Sequence, residues 1–242
     1  MRIVLFTRRL LARPDGTPAT AVLGARDQAA LATAVRLRRA GAEVLVAVAA
    51  GPAERQEPAL RQALAQGADR AVSVSHALLE KVDYHGMARV LAGAAKHLGY
   101  ELVLLGERSQ DEAEGAIGPA VAEHLGVPHV TAARDLTIEL PDHVRFERLD
   151  GTLRRTLRLA LPAVITVAAD GLTGGQVDAQ PPRGSEPETL DLETIGIQPP
   201  ELKYRDRCLG RAMPVRALRS ATVLPRAADL VARLRDDHLL GD

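Results

Sequence analysis

A chain of 242 residues with an apolar fraction of 46% is long enough to bury one sizeable α/β core. Its 31 basic and 31 acidic residues cancel, and aromatics make up 2% with no tryptophan, so neither a cationic field nor stacking platforms favour nucleic acid or a charged membrane surface. A single cysteine, Cys208, excludes an intrachain disulfide and a multi-cysteine metal site and reads as an incidental thiol.

Arg2 to Thr7 reads as a strand of β-branched and large apolar residues, followed by a Pro/Gly-marked segment, Ala12 to Gly24. Asp27 is the expected cap of a helix carrying Ala30, Leu31, Ala34, Val35 and Leu37, which ends in Arg38-Arg39-Ala40-Gly41. Ala42 to Ala49 is a second strand. Gly51-Pro52 opens a helix that runs through Ala65 and stops at Gly67, and Ala71 to Val74 is a short third strand. Tyr84 to Leu98 is helical up to Gly99, Leu102 to Leu105 is a fourth strand, Ala116 to Leu125 a helix ending at Gly126, and Val127 to Ala132 a fifth strand. Strands alternating with helices predict βαβ units, a parallel sheet and right-handed crossovers, and the nearly continuous apolar strands predict a sheet covered on both faces.

After Ala133 the period becomes two. Leu136 to Leu140, Val144 to Arg148 and Leu153 to Leu159 alternate apolar with polar, with turns at Pro141-Asp142 and Asp150-Gly151, which predicts an antiparallel meander with a solvated Arg/Glu face. Leu161 to Ala168 returns as a buried strand with Pro162 at its start. From Asp170 to Pro200 the composition shifts to Gly, Pro, Ser and acidic residues and reads as an extended arm. The segment holding Arg205, Arg207, Arg211, Arg216 and Arg219 is basic, and Leu224 to Leu240 reads as an amphipathic helix. No apolar run approaches the roughly 18 residues of a membrane span, and Met1 to Arg9 is too short and charged for a signal peptide, so direct membrane insertion is not expected and the expected location is cytoplasmic.

The stretch from Gly106 to Gly118 is the candidate site. A buried strand breaks at Gly106 into the polar loop Glu107-Arg108-Ser109-Gln110-Asp111, and Gly115, Ala116, Ile117 and Gly118 lead into a helix. Backbone N–H groups and the positive end of the helix dipole meet where such a strand stops, which suits an anion. For the glycines alone an ordinary βα turn without ligand suffices, because neither the dinucleotide fingerprint nor the P-loop is present. There is no G-x-S-x-G elbow, H-E-x-x-H or C-x-x-C, and the seven histidines are scattered; His124 and His129 read as surface residues. Asp111, Glu112 and Glu114 read as solvated or capping acids rather than an acid–base or Mg²⁺ set. With no side-chain catalyst in view, binding or the chemistry of an organic cofactor is the natural reading.

Taken together these pieces resemble the β subunits of the electron transfer flavoproteins, a group that includes the FixA-type proteins. Gly24 to Arg39 resembles the family's N-P-x-[DC]-x-x-A entry to its first helix. Ala59 to Ala71 resembles its L-R-x-A-L-A-M-G-A-D-R-A run, Glu101 to Pro119 its strand, x-x-x-x-D and G-Q-x-G-P loop, and Leu161 to Val167 its L-P-A-V-V-T-V strand. The resemblance implies a mostly parallel Rossmann-like sheet of the adenine nucleotide alpha hydrolase type. It implies a nucleotide-binding domain over residues 1–170 and a C-terminal arm and helix, residues 171–242, for subunit and partner contact. It further implies an electron carrier rather than a stand-alone enzyme: a heterodimer with an α subunit that carries FAD, with AMP or a second FAD in the β subunit. Electrons would pass between a flavin dehydrogenase, such as an acyl-CoA dehydrogenase of fatty acid oxidation, and a quinone oxidoreductase or other acceptor. The loop from Gly106 to Gly118 would cradle phosphate. Gly24, Ala25, Arg26, Asp27, Ala50 and Gly51 would close over the nucleoside, with Phe6 at the adenine pocket.

Several positions depart from the family pattern. Phe6-Thr7-Arg8 stands where small residues and a lysine are usual, with Phe6 a candidate intruder on the adenine pocket; Gly24-Ala25 replaces Asn-Pro, and Ala116 replaces a glutamine. In the arm, Pro182-Arg183 is followed by the acidic run to Glu188, with no lysine until Lys203, an electrostatic surface that suits a different dehydrogenase. The alternative reading is a non-redox adenine-nucleotide-binding regulatory module. A third, an enzyme acting at the nucleotide phosphate, lacks a visible base or metal set.

Overall fold

The computed structural model describes residues 1–8, 22–108, 115–139, 141–169, 186–202 and 231–232. The chain divides into two compact units, residues 1–206 and 207–242. In the second, Val231 and Ala232 are helical and exposed, and the basic segment and most of the expected tail helix lie outside the described residues.

In the first unit β1 (Arg2–Phe6), α1 (Ala25–Arg39), β2 (Val44–Ala50), α2 (Ala53–Gln66), β3 (Arg70–Val74), α3 (Tyr84–Leu98), β4 (Leu102–Gly106) and α4 (Ile117–Leu125) follow in the expected alternation. Then come β5 (His129–Glu139), β6 (His143–Asp150), β7 (Leu153–Ala160), β8 (Ala163–Val167) and the short β9 (Glu188–Leu190). Among the described residues they form one nine-stranded sheet in the order β7-β6-β5-β8-β4-β1-β2-β3-β9. From β5 to β9 every pairing is parallel, whereas β6 and β7 are antiparallel additions. The expected fold class, a mostly parallel Rossmann-like α/β sheet with an antiparallel meander, is observed.

Two apolar layers sandwich the sheet. Ile3, Leu5, Leu45, Ala47, Leu102 and Leu104 face α1 and α2. Val4, Phe6, Val46, Val48, Val103 and Leu105 face α3 and α4. β1, β2 and β4 therefore have two buried faces, which is why their sequences are apolar nearly throughout. Side chains of this size contribute about 1.5–3 kcal/mol each when fully buried.

The handedness of the crossovers explains the layers. From β1 the chain moves to β2 and β3 on one side; from β3 it returns past β1 to β4 and continues away from it. Right-handed connections running in opposite directions must put their helices on opposite faces. The reversal lies between β1 and β4, which pair in parallel from Ile3↔Leu102 to Leu5↔Leu104.

Three local expectations change. The N-cap of α1 is Gly24, and Asp27 lies in the first turn instead of capping it. The fifth strand and the first strand of the meander are one continuous β5, bent where Ala132 (φ 55°) and Asp135 (φ 47°) adopt left-handed conformations and the register shifts. Those residues let one strand pair with β8 by its first half and with β6 by its second. Within the stretch read as an extended arm, residues 186–202 are joined to the unit: β9 extends the sheet beside β3, and Leu192, Ile195, Ile197 and Leu202 are buried in the α3 layer. Glu188 accepts from Nε and Nη2 of Arg70 at 2.9 and 2.8 Å, Glu186 meets Arg61 at 2.6 Å, and Glu201 meets Arg89 at 2.6 Å. Glu186 and Glu188 of the acidic run are thus paired with arginines of the same unit. Among the described residues no helix is long and apolar enough to cross a membrane.

Candidate functional site at the strand switch point

In an open parallel sheet the carboxyl ends of neighbouring strands part where the connections reverse direction, and the helices that follow them begin on opposite faces. Here that crevice lies outside β1 and β4, with α1 starting on one face and α4 on the other. Neither helix has a side-chain cap: the N-cap residues are Gly24 and Ala116, and neither supplies a hydrogen bond. By contrast Asp83 caps α3, accepting from the N–H of Gly86 at 2.9 Å. Uncapped first-turn N–H groups with a positive dipole end are what an anionic ligand takes up.

Several of the predicted site residues come together. The backbone of Gly106 meets that of Arg26 so closely that a Cβ at Gly106 would stand 3.0 Å from the Arg26 carbonyl carbon. Arg26 Nε donates to Glu107 Oε1 at 3.2 Å, and Arg108 Nη2 lies 3.3 Å from the same oxygen. A Cβ on Gly115 (φ +69°) would lie 3.4 Å from the Glu107 carbonyl oxygen and 3.7 Å from Arg108 Cγ. The starts of both helices and the end of β4 are therefore contiguous. Ser109, Gln110, Asp111, Glu112 and Glu114 lie outside the described residues.

Other candidates have different surroundings. Phe6 is 4% exposed and belongs to the layer beneath α3 and α4, so it serves as core there. Gly118 faces the sheet: a Cβ would fall 2.4 Å from Thr166 Cγ2, so this glycine lets α4 approach β8. Thr166 Oγ1 in turn accepts from Ala132 N–H at 3.0 Å, tying that approach to the bend in β5. Ala50 is buried in the α3 layer, and Gly51 N–H donates to Val74 O at 3.0 Å, so this turn is held toward β3, one strand beyond the crevice. Ala25 is exposed, and Asp27 and Ile117 are partly so, each in the first turn of its helix.

One residue at this edge escaped the sequence reading. Thr7 continues β1, its N–H donating to Val48 O at 2.9 Å, and by strand alternation with Ile3 and Leu5 its side chain points to the α1 face. It is 6% exposed, and its hydroxyl, like those of Ser73 and Thr137, is buried with no hydrogen-bond partner among the described residues. A buried hydroxyl left unsatisfied is unfavourable. Its signal in the sequence was a polar residue at an inward position of an otherwise apolar strand. Among the described residues no group of three or more His, Cys, Asp or Glu side chains is placed to hold a metal ion.

The fold and this edge define a doubly wound α/β protein with its crevice at the switch point. The chain belongs to the electron transfer flavoprotein family: residues 19–190 match the electron transfer flavoprotein domain. It is 36% identical over 174 residues to the human electron transfer flavoprotein subunit beta, covering 68% of this chain and 67% of that one. It is 26% identical over 245 residues to the Bacillus subtilis protein of the same name, covering 98% and 93%. A third such subunit, from Thermoanaerobacterium thermosaccharolyticum, is 34% identical over 140 residues, 57% and 52% of the two chains. The chain thus stands among the β subunits, and the resemblance read from its motifs holds.

Proposed function

We propose that this chain is the β subunit of an electron transfer flavoprotein heterodimer. An α subunit holds FAD, and this chain packs beside the flavin ring. The complex carries electrons between a flavin dehydrogenase, such as an acyl-CoA dehydrogenase, and a quinone oxidoreductase or other acceptor. In this chain an adenine nucleotide, AMP or the adenylate part of a second FAD, occupies the crevice between β1 and β4. The protein is a carrier subunit: flavin supplies the redox chemistry, and the chain's residues bind, orient and exclude water.

The observation that carries this reading is the switch-point edge itself, two helix starts without a side-chain cap beside a buried hydroxyl that has no partner among the described residues, in a chain whose relatives are named as β subunits. These residues fit an adenylate. The first-turn N–H groups of α4, reached past Gly115, take the phosphate. The close approach at Gly106 leaves backbone rather than side chain at the crevice floor. Thr7 Oγ1 is the polar contact available on the α1 side.

Co-expression with an α-like chain tests the proposal. The expected product is a yellow complex from which mass spectrometry recovers FAD and an adenine nucleotide. A colourless monomer that releases AMP would replace this reading by that of a non-redox nucleotide-binding module.

A further inference from the structure

One edge of the sheet is bare. β7 ends the strand order on the side away from β9, and it pairs residue for residue with β6, from Asp150↔Leu153 to His143↔Ala160, so no bulge bends it away. It is eight residues long and exposed at every position except Leu159. Its outward row of backbone N–H and C=O groups has no strand to pair with among the described residues, an arrangement that invites another strand. Pairing across β6 and β7 sorts their side chains onto two faces. On one, Glu147 holds Arg154 at 2.9 Å, and Glu139 holds Arg158 at 2.5 Å and Arg145 at 3.5 Å, so each arginine has an acid. The other face runs outward from buried Val144 and Phe146 to Leu157 at 40% and Leu153 at 59% exposure, and there Arg148 stands directly opposite Arg155. Asp150 takes Arg155 at 3.3 Å, while Arg148 has no acid partner among the described residues. Like charges facing each other across a ladder are unfavourable, and the apolar strip beside them is left in water.

We propose that β7 is a docking edge for the α subunit, which adds to it an extended strand bearing a carboxylate flanked, at every second position, by apolar residues. The proposal rests on the heterodimer reading above and names the surface and the chemistry of the contact. Strand addition satisfies the outward backbone groups of β7, and alternate residues of the incoming strand fall on the Phe146 face. There one apolar residue meets Leu153, the carboxylate reaches Arg155 and Arg148, and a second apolar residue meets Leu157. A second copy of this chain is the wrong occupant. β7 carries Arg154, Arg155 and Arg158 and no acid, so pairing β7 with β7 sets arginines against arginines. The chain's own acidic run is committed elsewhere: Glu186 and Glu188 hold Arg61 and Arg70, and β9 lies at the opposite edge. An uncovered strand of this length with exposed leucines is an aggregation hazard. Its cover is therefore a permanent partner, which selects the subunit over a dehydrogenase that comes and goes.

Hydrogen exchange on the heterodimer of the full chain with its α partner tests the backbone contact. The alternate β7 amides that point away from β6 should exchange as slowly as those bonded to it. Fast exchange there in an intact heterodimer overturns the proposal. Dissociation on dilution tests the charge. Arg148→Glu should weaken the heterodimer about tenfold or more, Arg148→Lys should keep most of the affinity, and Leu153→Ser should weaken it several-fold. Both positions are exposed, so the variants keep the fold, which circular dichroism checks. Rising salt should weaken the wild-type heterodimer more than that of Arg148→Glu. A heterodimer indifferent to Arg148→Glu and Leu153→Ser, or a homodimer of this chain in which the outward amides are protected, overturns the proposal and leaves the FAD-bearing heterodimer standing. A chain that forms no heterodimer sinks both.

Discussion

Thr7 is poorly placed for stability, and on the proposed reading its hydroxyl contacts the adenylate. Its hydroxyl is shut away from water without a partner among the described residues. Replacing it with the nearly isosteric valine should stabilise the ligand-free protein by about 1 kcal/mol, because the desolvated oxygen disappears. The same change should weaken adenylate binding several-fold, the effect of one neutral hydrogen bond. Denaturant midpoints and calorimetric titration on one variant measure both; a fall in stability with unchanged affinity would show the hydroxyl to be satisfied within the protein. Gly118 answers a different constraint. A Cβ there would stand 2.4 Å from Thr166 Cγ2, so Gly118→Ala must push α4 off β8. The expected loss is about 1–3 kcal/mol, read from the denaturant midpoint, with weaker nucleotide binding because the displaced helix start carries the N–H groups.

Elements fail or hold by what they pair with. The segment 186–202 is held by four buried apolar side chains and by arginine–glutamate pairs across β3, α2 and α3. Arg70 lowers the pKa of Glu188 chiefly through its hydrogen bond and raises its own in return. A carboxylate with a depressed folded-state pKa adds stability above its unfolded value, near 4.3, and loses it as pH falls through the folded value. The pair is nearly half exposed, so its worth is below about 1 kcal/mol. Glu188→Gln should therefore be slightly less stable than the wild type at pH 7, with the difference fading below about pH 4. A difference that persists in acid would assign it to packing instead.

For the whole molecule, the boundary of the first unit at Asp206 lies beyond β9 and its buried followers. A chain ending at residue 206 should keep a single cooperative unfolding transition. One ending at residue 185 should be destabilised by several kcal/mol, since it strips the β3 edge and removes Leu192, Ile195, Ile197 and Leu202 from the α3 layer. Equal stability of the two truncations, compared by thermal and denaturant unfolding, would show that the segment is only laid on the surface.

Much of this architecture was readable from local pattern. Gly67, Gly99 and Gly126 stop α2, α3 and α4 where expected, and the two-residue alternation from Leu136 onward marks the meander. Helix period, strand alternation and glycine stops depend on neighbours a few residues away, so the sequence alone determined the type and succession of elements and the family motifs. Pairing between distant segments was beyond its reach. That β8 inserts between β4 and β5, that β9 joins the opposite edge, and that β5 bends at Ala132 and Asp135 to serve two sheet regions follow from non-local hydrogen bonding. The site shows the same division: Gly106, Glu107 and Arg26 were each legible as candidates, but their junction depends on the helix of β1 starting beside the end of β4. Only the tertiary structure decided that, because strand order and crossover handedness, rather than any local propensity, choose which helix start meets which strand end.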